Sequence, residues 1–266
     1  MTAPPRAVPS VCATDSPGPP FHGWRVVGLS AVALGATAPG QTAAVSAFID
    51  PMITDLGITR SQMSLAYLTG TLAGAAMMPW VGRAVDRYGV RRTMAAVGLV
   101  FGGVLLALAT VSSLVGLTAG FVGIRMAGQG ALGLTATTVT ALWFARRRGL
   151  AIGVVSAVGA SIISLAPIGL ERLVSEVGWR TAWALEGVAV WAVVLPVAWL
   201  LRNRPSDVGQ YVDGIAPTQD VPGYEVWGVD RRTAMSTRFF WVVTAGVAAS
   251  GMLSTAVAFP PDQPAG

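Results

Sequence analysis

The sequence has no lysine, a single cysteine, a single histidine and few charged residues of either sign. All 18 basic residues are arginine, and charged residues make up 12% of the 266 positions. A soluble domain usually has about 25% charged residues, so this chain has too little polar surface to face water on all sides. Cys12 alone excludes a disulfide within the chain, and His22 alone leaves little basis for a metal site or a catalytic triad. We therefore expect no cofactor, no metal and no enzyme activity.

Long apolar runs take the place of the missing charge. Apolar residues make up 53% of the chain, and its mean hydropathy is +0.61. A helix needs about 20 mainly apolar residues to cross a bilayer. Seven segments meet this requirement, at 24–48, 61–82, 93–112, 115–143, 149–170, 180–201 and 238–259. We predict an all-α membrane protein embedded in a lipid bilayer.

The segments between these runs predict the domain organisation. Residues 1–23 are rich in proline and have no apolar core, which indicates a disordered tail rather than a signal peptide. Residues 24–201 then form a six-helix bundle, and 202–237, rich in Pro, Asp, Gly and Arg, form a linker. A seventh helix at 238–259 is followed by an atypical Pro-rich tail at 260–266.

The arginines predict how the helices are oriented. With the N-terminus inside, fourteen arginines fall on the cytoplasmic side and three on the other side, and Arg125 lies within a helix. Such a bias is typical of membrane proteins, whose cytoplasmic loops are enriched in basic residues. The arginines occur in short clusters between apolar runs, so we expect no nucleic-acid partner despite the basic pI of about 10.3. The predicted location is the plasma (cytoplasmic) membrane, with a cytoplasmic N-terminus.

The most specific motif lies between the second and third runs. Its residues are Gly82, Asp86, Arg87, Gly89, Arg91 and Arg92. Glycines allow close packing and a tight turn, and Asp86 is suited to pair with arginines or to face a helix N-terminus. The motif resembles the cytoplasmic loop signature of major facilitator transporters. This resemblance implies a fold of two six-helix bundles, each built from two three-helix repeats, with the substrate between them.

Further segments resemble one branch of that family, the monocarboxylate and oxalate–formate transporters. They are residues 123–130, 143–151, 178–183 and 204–209. The triplets at 89–91 and 178–180, both Gly-X-Arg, also suggest a repeated three-helix unit. The resemblance implies a small organic anion as the substrate.

Four polar residues within the apolar runs are candidates for substrate binding or coupling. Arg125 must face the bundle interior or water, and it either serves transport or bonds free carbonyls and Gln129. Glu186 either accepts a proton or, as we favour, meets water near the outer interface. Gln41 follows Pro39-Gly40, which either breaks the first helix beside a cavity or simply kinks it.

A stripe of small residues follows the fifth predicted helix. Its members, Gly149, Gly153, Ala157 and Ser161, recur at every fourth position. Small residues let two membrane helices approach closely, so we expect this stripe to pack against a neighbouring helix.

The resemblance ends near Phe259, after one helix of the second bundle. We therefore expect a truncated transporter that is not competent for transport alone. Two alternatives remain open: a half-transporter that works as a dimer or with a second chain, and a seven-helix receptor or membrane interaction protein. The motif at residues 82–92 favours the transporter interpretations.

Overall fold

The computed structural model describes residues 20–216 and 231–258, and within these residues the chain is helical and has no strand. The helices are α1 (Gly23–Gly35), α2 (Thr42–Leu56), α3 (Arg60–Tyr88), α4 (Val90–Leu108), α5 (Leu114–Ile124), α6 (Gly133–Trp143), α7 (Arg148–Leu200), α8 (Arg231–Ser236) and α9 (Arg238–Ala258). The predicted all-α fold is confirmed. Most of the predicted N-terminal tail, the middle of the linker and the tail at 260–266 lie outside the described residues.

The first predicted span is broken in the middle. α1 ends at Gly35, Ala38–Gly40 form one 3₁₀ turn, and Gln41 leads into α2 with extended backbone (φ −87°, ψ 150°). Proline removes a backbone donor, and glycine tolerates close approach, so the Pro39-Gly40 pair interrupts the helical hydrogen bonds here. The break leaves the Gly40 carbonyl free to accept a bond from outside its own helix.

Two glycines make the sharp turns between long helices. Gly89 joins α3 to α4 with φ 81° and ψ 160°, and Gly178 bends α7 with φ 78° and ψ 158°. A side chain is strained at such positive φ values, so glycine fits these positions. The two triplets that suggested a repeat therefore share one local conformation. Residues 171–179, which lie between the fifth and sixth predicted segments, are therefore helical on both sides of Gly178.

The fourth predicted span is continuous but changes its winding. Residues Arg125–Leu132, between α5 and α6, form a π-helix. A π segment displaces the following residues around the helix axis and is frequent at functional sites. Glycines on its neighbours allow close contact: a Cβ on Gly74 of α3 would lie 2.9 Å from the Met126 nitrogen.

The segment after α7 is fastened to one end of the bundle. Asn203 Oδ1 accepts the Arg91 backbone N–H at 2.8 Å, and Trp143 Nε1 donates to the Arg202 carbonyl at 3.2 Å. The Asp213 carboxylate accepts the backbone N–H groups of Ala145 and Arg146. The first part of the predicted linker is thus bonded to the starts of α4 and α7, because its polar side chains satisfy N–H groups that helix ends leave free. This end of the bundle carries Arg91, Arg92, Arg146, Arg147 and Arg202, and we call it the arginine-rich end.

The described side chains of α9, from Arg238 to Leu253, are all exposed. The helix touches the bundle beside α2. In a membrane, such an apolar helix is left to contact lipid or other helices.

Candidate functional site

A cluster of polar groups surrounds Arg125 inside the bundle. Arg125 Nε donates to Thr71 Oγ1 at 3.1 Å, and its Nη1 donates to the Gly40 carbonyl at 3.2 Å. The guanidinium carbon lies 5.0 Å from the centre of the Tyr67 ring, and the Tyr67 hydroxyl is 2.8 Å from Thr42 Oγ1. We call these five residues the Arg125 cluster. It joins the broken first span, α3 and the π segment.

Close backbone packing holds the cluster together. A Cβ on Gly40 would lie 2.7 Å from the Ile124 carbonyl oxygen and 3.1 Å from the Gln129 nitrogen. Tyr67 and Thr71 are four residues apart on α3, so they lie one above the other on a single helix face. The Pro39-Gly40 break brings its free carbonyl within reach of Arg125 because no side chain separates the two backbones.

The charge of Arg125 is not neutralised by the surrounding protein. The side chain is 9% exposed, and no carboxylate pairs with it in the part of the chain that the structure describes. A guanidinium has five N–H hydrogens. Nε and Nη1 have acceptors, but Nη2 has none among the described residues. The arrangement is therefore able to attract an anion and to donate hydrogen bonds to it.

Neither predicted glutamine contacts Arg125. The Gln41 amide donates instead to Thr37 Oγ1 at 2.9 Å, one turn back across the break. Gln129 is exposed on the π segment and makes no hydrogen bond to Arg125. The bond between Arg125 and Gln129, part of one of the two roles considered for Arg125, is therefore not observed, whereas a bond to a free carbonyl, that of Gly40, is present.

Glu186 is buried, which contradicts the expectation that it meets water at the outer interface. It is 8% exposed, and its Oε2 has no hydrogen-bond partner among the described residues. Trp183 and Val190 precede and follow it on the same buried face of α7. The indole of Trp183 stacks on Phe48 with ring centres 4.0 Å apart. Burial is thus decided by the face of the helix and not by distance from its end.

The motif at residues 82–92 occupies two helix ends rather than a loop. Gly82, Asp86 and Arg87 lie on the last turns of α3, Gly89 makes the turn, and Arg91 and Arg92 lie on the first turn of α4. Asp86 is exposed and forms no ion pair within the described ranges. Of the two possibilities for Asp86, pairing with an arginine is therefore not observed among the described residues. A Cβ at Gly89 would lie 3.0 Å from the Asn203 side chain.

Sequence reasoning missed Tyr67, Thr71 and Thr42 in the Arg125 cluster, and Asn203 and Asp213 at the arginine-rich end. The i, i+4 spacing of Tyr67 and Thr71 is a signal that was available. Asp213 has a positive φ of 59°, which is uncommon for a residue other than glycine. Its bonds to the α6–α7 connection join residues 67 and 68 positions apart, and no local pattern reveals such a contact.

Two comparisons with known proteins bear on this site. A family model described as Major Facilitator Superfamily matches residues 29–262. An MFS-type transporter of Aspergillus fumigatus, hasB, is 35% identical over 153 residues, which are 56% of this chain and 31% of that protein. The alignment thus spans about a third of the length of this curated relative. The matched part of the chain, residues 29–262, includes the motif at 82–92, the Arg125 cluster and Glu186.

Proposed function

The chain belongs to the Major Facilitator Superfamily, and we propose that its transport substrate is a small organic anion of the monocarboxylate type. Membership makes the chain a multi-pass membrane protein of a secondary transporter family and not an enzyme. It favours a transporter over the alternative of a seven-helix receptor or membrane interaction protein.

The buried, unpaired guanidinium of Arg125 is the observation that carries the anion proposal. An unpaired charge inside a membrane protein is costly, at least ~2.5–3.5 kcal/mol on insertion scales, so such residues mark substrate or ion pathways. Carboxylates suit a guanidinium because both groups are planar and form paired hydrogen bonds. Gly40, Thr71 and Tyr67 fix the orientation of Arg125 and leave Nη2 available to a carboxylate.

Glu186 is the proposed coupling group. A buried carboxyl without a hydrogen-bond partner is stable when it carries a proton, and it gains charge when the pathway admits water. A proton taken up here would compensate the charge of an anionic substrate during its passage. Glu186 lies on α7 and Arg125 in the fourth span, and no ion pair joins them among the described residues, so the proton and the anion would bind to different groups.

The experiment is uptake of radiolabelled oxalate, formate and lactate by liposomes that contain this chain together with any partner helices that transport requires. We expect Arg125→Gln to reduce uptake of the anion at least tenfold, and Arg147→Gln, an exposed arginine at the α6–α7 connection, to leave uptake unchanged. Glu186→Gln should abolish the stimulation of uptake by an inward proton gradient. Saturable uptake that is insensitive to Arg125→Gln would refute the anion proposal.

A second candidate keeps transport but requires partner helices, from a second copy or from another polypeptide segment. All four residues of the small-residue stripe on α7 are exposed, so the expected packing is not made within the described residues. A Cβ on Gly149 or Gly153 would meet nothing within 4 Å. If the stripe on α7 is the surface that contacts the partner helices, replacing Gly153 by Leu should reduce cross-linking between this chain and its partner in the membrane. Unchanged cross-linking would contradict this assignment.

We also propose that the N-terminus is cytoplasmic and that the protein lies in the plasma membrane. Cys12 is the single cysteine of the chain, so no engineered cysteine is needed to test this orientation. A membrane-impermeant maleimide should label Cys12 only after the cells are permeabilised. Labelling of intact cells would reverse the proposed orientation.

A further inference from the structure

An apolar groove runs along the outside of the bundle towards the arginine-rich end. It has a volume of about 400 Å³ and lies between the last turns of α3, the first half of α4 and the π segment. Its walls are almost wholly apolar, with Ala84, Ala96, Val97, Val100 and Met126 among the lining side chains. From Tyr88 back to Val81, the α3 wall is about 10 Å long at 1.5 Å rise per residue. This length suits several methylene groups of an acyl chain.

Two residues with polar ends border this groove. Tyr88 and Arg92 line it with their carbon atoms and are exposed, and the guanidinium of Arg87, which follows on α3, lies 5.5 Å from the centre of the Tyr88 ring. Arg92 forms no ion pair or hydrogen bond with the residues that the structure describes. Thr93 also lines the groove, but its hydroxyl donates to the Gly89 carbonyl at 2.9 Å. Asp86 lies on the same turn of α3 as Arg87 but forms no ion pair with it, and the arginines of this segment outnumber it, so the mouth carries net positive charge among the described residues.

We propose that this groove binds one anionic phospholipid, with an acyl chain along the apolar walls and the phosphate at Arg92, Arg87 and the Tyr88 hydroxyl. Charge complementarity identifies the occupant, because unpaired arginines at the end of an apolar groove match a negatively charged headgroup above a hydrocarbon chain. Hydrocarbon gains little by moving from bilayer to groove, since both are apolar. Headgroup charge must therefore supply the selectivity.

The magnitude follows from the electrostatics of the membrane surface. A basic side chain near an anionic surface contributes about 1 kcal/mol, which corresponds to about a fivefold change in affinity. We expect the protein to prefer phosphatidylglycerol over phosphatidylcholine at least fivefold, and Arg92→Gln to remove about fivefold of that preference. Arg147→Gln is the matched control, because Arg147 is an exposed arginine of the same end that does not line the groove.

Native mass spectrometry of the protein in detergent, titrated with each lipid, measures these affinities directly. Ala96→Phe tests the groove itself, because the phenyl ring would occupy space beside Val97 and Val100 and should weaken binding of both lipids. Circular dichroism and size-exclusion chromatography establish that each variant is folded. Glycerol phosphate, which has the charge but no acyl chain, should not compete at equal concentration.

The results decide between one lipid site and other occupants. Selective binding of phosphatidylglycerol that is weakened by Arg92→Gln and Ala96→Phe but not by Arg147→Gln supports the proposal. Equal affinity for the two lipids, or an equal loss with Arg147→Gln, overturns it in favour of general lipid coverage. Competition by glycerol phosphate overturns it in favour of a simple anion site. Absence of any bound lipid overturns it in favour of a groove covered by protein. None of these results depends on which substrate is transported.

Discussion

Replacing Gly40 by alanine should separate the broken first span from the π segment. The new Cβ would lie 2.7 Å from the Ile124 carbonyl oxygen and 3.1 Å from the Gly128 Cα, and both are backbone atoms that cannot rotate away. Overpacking of this kind costs ~1–3 kcal/mol. The Gly40 carbonyl would also move away from Arg125 Nη1, and a hydrogen bond to a charged group contributes ~1.5–3 kcal/mol. We expect a loss of about 3 kcal/mol in the free energy of unfolding.

The matched control is Gly28→Ala, in α1. A Cβ there would meet nothing within 4 Å, and alanine favours a helix over glycine by up to ~1 kcal/mol. Unfolding in mixed micelles, followed by circular dichroism during titration with dodecyl sulfate, measures both variants on one scale. The double variant with Arg125→Met then completes a cycle, and the two changes should be non-additive because they remove the same hydrogen bond. Equal stabilities of Gly40→Ala and Gly28→Ala, or an additive cycle, would refute this account of the site.

Three further substitutions, with Asp86→Ala as a control, test polar groups outside the Arg125 cluster. Asp213→Ala should lower the free energy of unfolding by about 2 kcal/mol, because two backbone N–H groups lose a charged acceptor, whereas Asp86→Ala should change it little. Asn203→Ala should lower the free energy of unfolding by about 1 kcal/mol, because the Arg91 N–H at the start of α4 loses its acceptor. A variant as stable as the original protein would count against a contribution from this hydrogen bond. Glu186→Met should raise the free energy of unfolding by about 1–2 kcal/mol, because it removes a buried oxygen without a partner, and should eliminate proton-stimulated uptake. Retained proton stimulation in that variant would contradict the coupling role.

The sequence predicts the spans but not the contacts between them. Apolar length predicts the helices, and the Pro39-Gly40 pair marks the break in the first span, whereas Pro79 and Pro167 lie inside continuous helices, so proline alone does not predict a break. The partners of Arg125 escape prediction because Thr71 is 54 positions away and Gly40 is 85 positions away. The burial of Glu186 follows from its spacing of three and four residues to Trp183 and Val190, which places it on the buried face of α7, and nearness to the outer interface does not reveal that face. Periodicity along the helix is therefore the more informative signal at that position.

Two surface arginines form ion pairs with aspartates, whereas Arg125 inside the bundle forms none among the described residues. Arg60 pairs with Asp50 at 2.7 Å and Arg180 with Asp55 at 2.9 Å, and all four side chains are substantially exposed. Exposed pairs contribute little to stability, because water screens the charges.

Inside the bundle, where a pair would gain more from its attraction, Arg125 has no carboxylate and Glu186 has no cation in the described part of the chain. A bundle selected only for stability would pair these two groups or replace both by apolar residues. If they were paired, a carboxylate substrate would have to displace Glu186 from the guanidinium before binding. The absence of a pair leaves Arg125 available to an anion and Glu186 available to a proton. The stability sacrificed at these two positions therefore supports our proposal that both of them serve transport.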